Sequence, residues 1–392
     1  MKPHLNPVVA LSLTAFATTA NIRIIENFLA EIAAEFDTTV GAASSVLFAF
    51  TLAYGLMQFV AGPASDRFGR LKVVTAATTL SAVVCLLCAA ATDLTSLVGA
   101  RVLAGAIAGG IFPVAMAYIG DTVALERRQQ VIAQFMLGHI MGLTLGQTAG
   151  GIIGEFLGWR TVFVVLSVAF FVCTGLLMLL PRAMATPGRT AAVSAYASFA
   201  VFKVFLSNPV VRRVLSLAFL EACVVFAALA FVSPDLRGRL GIGAGVSGMV
   251  LGGFGLGGLF YVLFVGRLAV MPGRSRLVAA GGLVFCLGIA PLGWIGAVAT
   301  AMICLVVGGF GFYAVHTTLQ TEATQMHPQA RGLAMGAFAA TLFFGQSVGV
   351  AAAGVIFDCA GAVPIYLTAA AIFLCVAFVT ARSVNASAPH AS

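Results

Sequence analysis

Charge is scarce in this sequence. Of its 392 residues, 9% are Asp, Glu, Lys or Arg, against about 25% in an ordinary soluble domain. That supply cannot cover a water-facing surface, which excludes a soluble enzyme, a nucleic-acid-binding domain and a disordered regulator. The formal charge of +8 therefore does not point to a nucleic-acid partner, because in a lipid-embedded chain the placement of Lys and Arg matters more than their sum. Cysteine frameworks are missing too. The eight cysteines, from Cys85 to Cys375, lie mostly inside apolar runs and imply neither disulfides nor zinc. No nucleotide-binding P-loop, metal-ligand cluster or nucleophile–base set occurs, so neither ATP-driven work nor an enzyme is expected, and no metal or organic cofactor.

Apolar residues are abundant, at 61%. Their runs reach about 20 residues, too long for barrel strands of about ten with alternating polarity. The expected fold class is an all-α polytopic membrane protein. Spans are expected at 7–30, 42–64, 73–91, 96–119, 129–153, 160–180, 213–233, 244–266, 277–295, 297–320, 332–355 and 364–382. The longest polar interruption divides the chain into a six-helix half at 1–181, a central loop at 182–212 and a second half at 213–392. Within the loop, an apolar stripe through Tyr196, Phe199, Phe202 and Phe205 fits either a helix on the membrane surface or a plain linker. Sixteen of the 21 Lys and Arg fall in the termini, the central loop and alternate connections, while the opposite connections carry most of the acids. By the positive-inside rule, the termini and the central loop face the cytoplasm.

The halves repeat. A shift of 203 carries Arg128, Phe135, Gly142, Gly146 and Gly151 onto Arg331, Phe338, Gly345, Gly349 and Gly354, and Glu155 onto Asp358. A shift of 204 carries Gly62, Gly69 and Arg70 onto Gly266, Gly273 and Arg274. Two parallel six-helix repeats are the plan of a rocking secondary transporter, with its site between the halves.

Between the second and third spans the chain reads Gly62-Pro63-Ala64-Ser65-Asp66-Arg67-Phe68-Gly69-Arg70-Leu71-Lys72. Gly62 and Gly69 would allow a tight turn, with Asp66 free to pair with Arg67, Arg70 or a helix N-terminus. This segment resembles the signature loop of the major facilitator superfamily, G-x-x-x-D-R-x-G-R-[RK], with Leu71 as its one departure. The resemblance implies conformational gating by Gly62, Asp66, Arg67, Gly69 and Arg70. Arg101-x-x-Ala104-Gly105 resembles a fourth-span motif whose arginine is linked to proton transfer, although a snorkelling role for Arg101 is equally open. Gly142-x-x-x-Gly146-Gln147-x-x-Gly150-Gly151 resembles the superfamily's antiporter motif; Gln147 stands where the family has proline, which sets the hinge role in question. Glycines at this spacing also serve close helix packing.

Ionisable groups within spans face a cavity or a partner, because charge in lipid is costly. Arg23, Glu26 and Asn27 share one helical face, either as a structural pair or as substrate and proton ligands. The run around them resembles first helices in the arabinose-efflux and drug–proton antiporter branch. Glu221 stands without a basic neighbour on its own helix, as a proton carrier or a neutral hydrogen-bonded carboxyl. His139 and His316 fit packing better than a relay. Asp121 and Glu322 are expected in gate networks with Arg127, Arg128 and Arg331.

The resemblance implies a secondary transporter exporting a small organic or amphipathic compound in exchange for protons, by alternating access. The proton is its coupling ion. The alternatives are a sugar or lysophospholipid transporter of the same fold, or a non-transporting sensor. Proton coupling is assigned to Glu26, Glu221 and Arg101. Substrate binding is assigned to Arg23, Glu26, Asn27, Tyr54, Gln58, Gln134, Glu221 and Tyr313, and gating extends to Gly142, Gly146 and Gly150. Expected partners are a small-molecule substrate and the lipid bilayer, with no nucleic acid, for a monomer in the inner membrane.

Overall fold

The computed structural model describes residues 7–180, 205–268, 273–327 and 331–387. Twelve long helical segments run through the described residues. The first six are α1 (Pro7–Glu35), α2 (Val40–Phe68), α3 (Arg70–Ala89), α4 (Leu94–Thr122), α5 (Leu125–Leu157) and α6 (Trp159–Met178). The second six are α7 (Pro209–Leu240), α8 (Ala244–Leu268), α9 (Arg274–Trp294), α10 (Val298–Gln325), α11 (Arg331–Ala360) and α12 (Val363–Ser387). Each expected span coincides with one of them. All but α5 are long and apolar enough to cross a membrane; α5 is diluted by its glycines and by Gln134, His139 and Gln147. Leu263, Leu287, Ile303 and Val355 are more than 60% exposed, an outward apolar surface that only lipid tolerates. The chain is a multi-pass membrane protein.

Two boundaries differ from expectation. Gly62 and Pro63 lie inside α2, and the turn into α3 is the single residue Gly69, at φ +90°. The helix therefore runs about one turn beyond the expected end at residue 64, and within that turn the Ser65 hydroxyl donates to the Gly62 carbonyl at 2.8 Å. The left-handed turn recurs at Gly273, φ +101°, before α9. Second, α7 begins inside the expected central loop: Pro209 occupies its first turn, and the Asn208 Oδ1 accepts from the Val210 N–H at 2.9 Å. The expected surface helix falls on residues outside those described, apart from Phe205.

The glycine ladder of α5 explains how α1 is seated. A methyl group on Gly138, Gly142, Gly146, Gly150 or Gly154 would strike Ser12, Phe16, Ala20, Ile24 or Phe28 respectively. Both helices advance four residues per step, so they run parallel with their backbones in close contact. The second half repeats this contact, with Gly345 against Phe219 and Gly349 against Cys223, each pair 203 residues beyond its counterpart. The repeat is thus a repeat of contacts as well as of letters.

With α5 counted as a crossing, Pro7 and Ser387, where the first and last described helices begin and end, lie on one side, here called the terminal face. On the other, far face, the halves touch through polar contacts, including an ion pair between Arg237 of α7 and Glu31 of α1. Nearer the middle, Thr51 and Ser347 share a hydrogen bond at 2.7 Å. On the terminal face a cavity of 380 Å³ opens between the ends of α1, α4 and α5.

Candidate functional site

Buried charge marks the centre of the first half. The α-helical bonding of α1 gives way to a 3-10 turn over Ile24–Phe28. In that geometry residues three apart eclipse one another, and Arg23 meets Glu26 at 2.7 Å, with 6% and 1% of their side chains exposed. The other Glu26 oxygen, Oε2, accepts from Gln147 Nε2 at 2.9 Å. Asn27 Nδ2 donates to the Gln147 carbonyl at 2.9 Å, and the Asn27 carbonyl accepts from Arg237 at 2.6 Å. Arg23, Glu26 and Asn27 therefore do come together, but around Gln147. That residue was visible in the sequence only as a departure from a family motif. Here it binds two side chains of the broken turn, Glu26 through its own side-chain amide and Asn27 through its backbone carbonyl.

The other face of the Arg23 guanidinium points across to the second half, 4.7 Å from the centre of the Phe226 ring. Phe226 meets Phe312 edge-on at 6.3 Å, and Phe312 stacks on His316 at 5.0 Å. His316 Nδ1 lies 3.2 Å from Glu221 Oε2. Glu221 is therefore not isolated, as its own helix suggested: its partner comes from α10, 95 positions away in the chain. The carboxylate is fully buried, whereas 18% of the imidazole side chain is exposed. A continuous series of contacts thus joins the two buried carboxylates: Glu26, Arg23, Phe226, Phe312, His316, Glu221. Tyr313 is half-buried beside this series, edge-on to Phe312 at 5.2 Å.

Arg101 does not snorkel. It has no exposed surface, and it donates to the Asn21 carbonyl, to Asn21 Oδ1 at 3.0 Å and to the Val46 carbonyl. Its guanidinium lies 4.1 Å from the Phe50 ring centre. This arrangement ties α4 to α1 and α2. Tyr54 is buried between Phe50 and Phe343, at 5.8 and 4.3 Å, where α2 meets α11. Gln58 is half-buried on α2, and Gln134 is exposed on the wall of the terminal-face cavity; neither joins the central series. His139 bonds Thr19 at 2.8 Å and lies against Phe112.

At the signature loop, Arg70 bridges Asp66 at 3.6 Å and Asp121 at 3.0 Å, all within the first half. Arg67 lies over the ring of Phe68. Of the expected gate network, the Asp121 part forms with Arg70, not with Arg127 or Arg128; the Arg331 side chain is outside those described.

A family model described as Major Facilitator Superfamily matches residues 11–349. Among relatives, the chloramphenicol resistance protein of Streptomyces lividans is 25% identical over 349 residues, covering 88% of this chain and 87% of that protein. Efflux pump radE of Floropilus chiversii is 27% identical over 175 residues, 44% of this chain, and that match spans only 32% of the pump's own length. Among solved structures, a bacterial homologue of the human lysosomal transporter Spinster, in an inward-facing and occupied conformation, aligns over 99% of this chain and 98% of that one. Its TM-score is 0.78 at 18% identity, a likeness of fold alone.

Proposed function

Because this chain belongs to the major facilitator superfamily and is therefore a transporter, we propose that it exports a small organic or amphipathic compound in exchange for protons. The reading rests above all on the series that links Glu26 and Glu221 across the two halves. An exchanger must hold a proton in one part of its cycle and release it in the other. Glu26 and Glu221 are buried carboxylates, one in each half and each beside a basic partner of its own half, and they are the groups proposed to do so. Glu26 answers to Arg23 and Gln147, Glu221 to His316. Substrate enters between them, against Phe226, Phe312 and Tyr313, and Arg101 supports the site from behind Asn21.

The distribution of basic residues supports reading the terminal face as the cytoplasmic side of a bacterial inner membrane. On this reading the protein works as a monomer by alternating access, and a closed far face with an open terminal face corresponds to an inward-facing state. Export is the direction favoured by the relatives named for efflux and chloramphenicol resistance. Thermal-shift screening of the purified protein against a library that includes chloramphenicol supplies a substrate for flux assays. In proteoliposomes, Glu26→Gln or Glu221→Gln is expected to abolish uptake driven by a pH gradient while leaving substrate exchange at equal pH largely intact. If both variants still concentrate substrate when only pH differs across the membrane, neither residue carries the proton.

A further inference from the structure

Far from the central series, two carboxylates reach across the boundary between the halves on the far face. Glu155 ends α5, and its Oε2 accepts from the backbone N–H of Gly245, in the first turn of α8, at 2.6 Å. Asp358 ends α11, and its Oδ1 accepts from the N–H of Gly41, in the first turn of α2, at 2.8 Å. The Thr39 hydroxyl donates to the other oxygen of Asp358 at 2.6 Å. The two sites obey the internal repeat. Glu155 and Asp358 are 203 apart, and Gly41 and Gly245 are 204 apart.

The backbones are shaped for the same contact. Four residues before each acid stands a glycine, Gly151 or Gly354. A methyl group on Gly151 would strike the Ala244 carbonyl, and one on Gly354 would lie 2.9 Å from the Gly41 carbonyl. Methyl groups on the receiving Gly41 and Gly245 would strike Asp358 and Glu155. Each site is therefore a Gly-x-x-x-acid ledge: the glycine lets a helix N-terminus approach, and the acid accepts from its unpaired N–H groups. The carboxylate also meets the positive end of the helix dipole.

We propose that Glu155 and Asp358 are positioning residues of the transport cycle, forming matched clasps that hold the far face shut on both flanks of the interface. The carboxylate and the helix start it holds belong to different halves. Opening the far face separates α5 from α8 and α2 from α11, so both clasps exist in one state and are absent in the other. The central Arg237–Glu31 pair is not part of this symmetry, since the repeat places Ala34 and Pro234 at the equivalent positions. The repeat has kept the flanking contacts in both copies. The inference depends on the alternating-access fold and not on the direction of transport or the coupling ion.

Hydrogen–deuterium exchange on the full chain in lipid nanodiscs tests it without added substrate. Each clasp contributes through a charge-assisted hydrogen bond and a helix dipole, so losing it is expected to shift the two-state population about two- to tenfold. Glu155→Gln is then expected to speed exchange by that factor at Gly41–Leu47, on the opposite flank. Asp358→Asn does the reverse at Gly243–Met249. In both variants the cavity wall Ile119–Val131 on the terminal face becomes more protected, and in the double variant the factors multiply. Glu155→Asp and Asp358→Glu, each borrowing the acid used by the other repeat, retain most of the wild-type pattern and serve as folding controls. Each amide variant tests the claim alone, so misfolding of one leaves the other decisive. Faster exchange confined to the substituted flank, with the opposite flank and the cavity wall unchanged, overturns the proposal and leaves two local helix caps.

Discussion

Removing one charge from the Arg23–Glu26 pair should cost far more than removing both. The side chains are 6% and 1% exposed and 2.7 Å apart, and Gln147 supplies Glu26 with one neutral donor. Arg23→Gln leaves a carboxylate in a dry site with that donor alone, and Glu26→Gln leaves a guanidinium facing the Phe226 ring. Breaking a buried pair from one side typically costs about 3–5 kcal/mol, because the survivor is uncompensated. The double amide variant removes both desolvated charges, and its stability should return to within about 1 kcal/mol of wild type, a coupling of about 5 kcal/mol or more. Thermal unfolding of the four proteins in one detergent measures that cycle, and proteoliposome flux of the same four measures function. On the present reading the double variant is stable and inactive, because the pair handles protons and substrate as well as filling space. If the double variant recovers flux together with stability, the pair is structural and the proton reading of Glu26 fails.

Asp66→Asn should leave unfolding within about 1 kcal/mol of wild type, because the carboxylate is 53% exposed and 3.6 Å from Arg70. Flux should nevertheless fall severalfold, since the loop is placed to serve when the terminal face closes; unchanged flux would remove Asp66 from the gate. Gly146→Ala should lower the melting temperature, because the new methyl would lie 2.6 Å from Ala20 Cβ and 2.8 Å from its Cα, with overpacking of this kind costing about 1–3 kcal/mol. Gly175→Ala, on an α6 face with nothing within 4 Å, should be neutral or stabilising by up to about 1 kcal/mol; equal effects at the two glycines would refute the close α1–α5 contact.

What could be read in advance follows from what lipid forces into the open. Apolar runs of span length have no other use, so all twelve helices were visible from composition and order alone. Charge inside a span is rare enough that Arg23, Glu26, Arg101 and Glu221 each stood out, and the four-residue spacing of the α5 glycines announced a close helix contact. What the sequence hid was the partner each of these groups would meet. The residues Ile24–Phe28 contain neither glycine nor proline, so nothing local signals the 3-10 turn that aligns Glu26 with Arg23. The partner of Glu221 arrives from α10, and histidine within an apolar helix carries no mark of which neighbour it serves. The end of α2 reads about one turn short in the sequence, at residue 64 instead of Phe68, because the polar run from Ser65 to Arg67 reads as loop although it continues the helix. Gln147 shows where the two kinds of signal meet. As a letter it weakened a motif match, yet in three dimensions it donates to a carboxylate that proline, with no side-chain donor, cannot reach. A departure from a motif at a buried position therefore counts as a clue to chemistry here, because a polar side chain placed in lipid must find a partner, and the partner it found is Glu26.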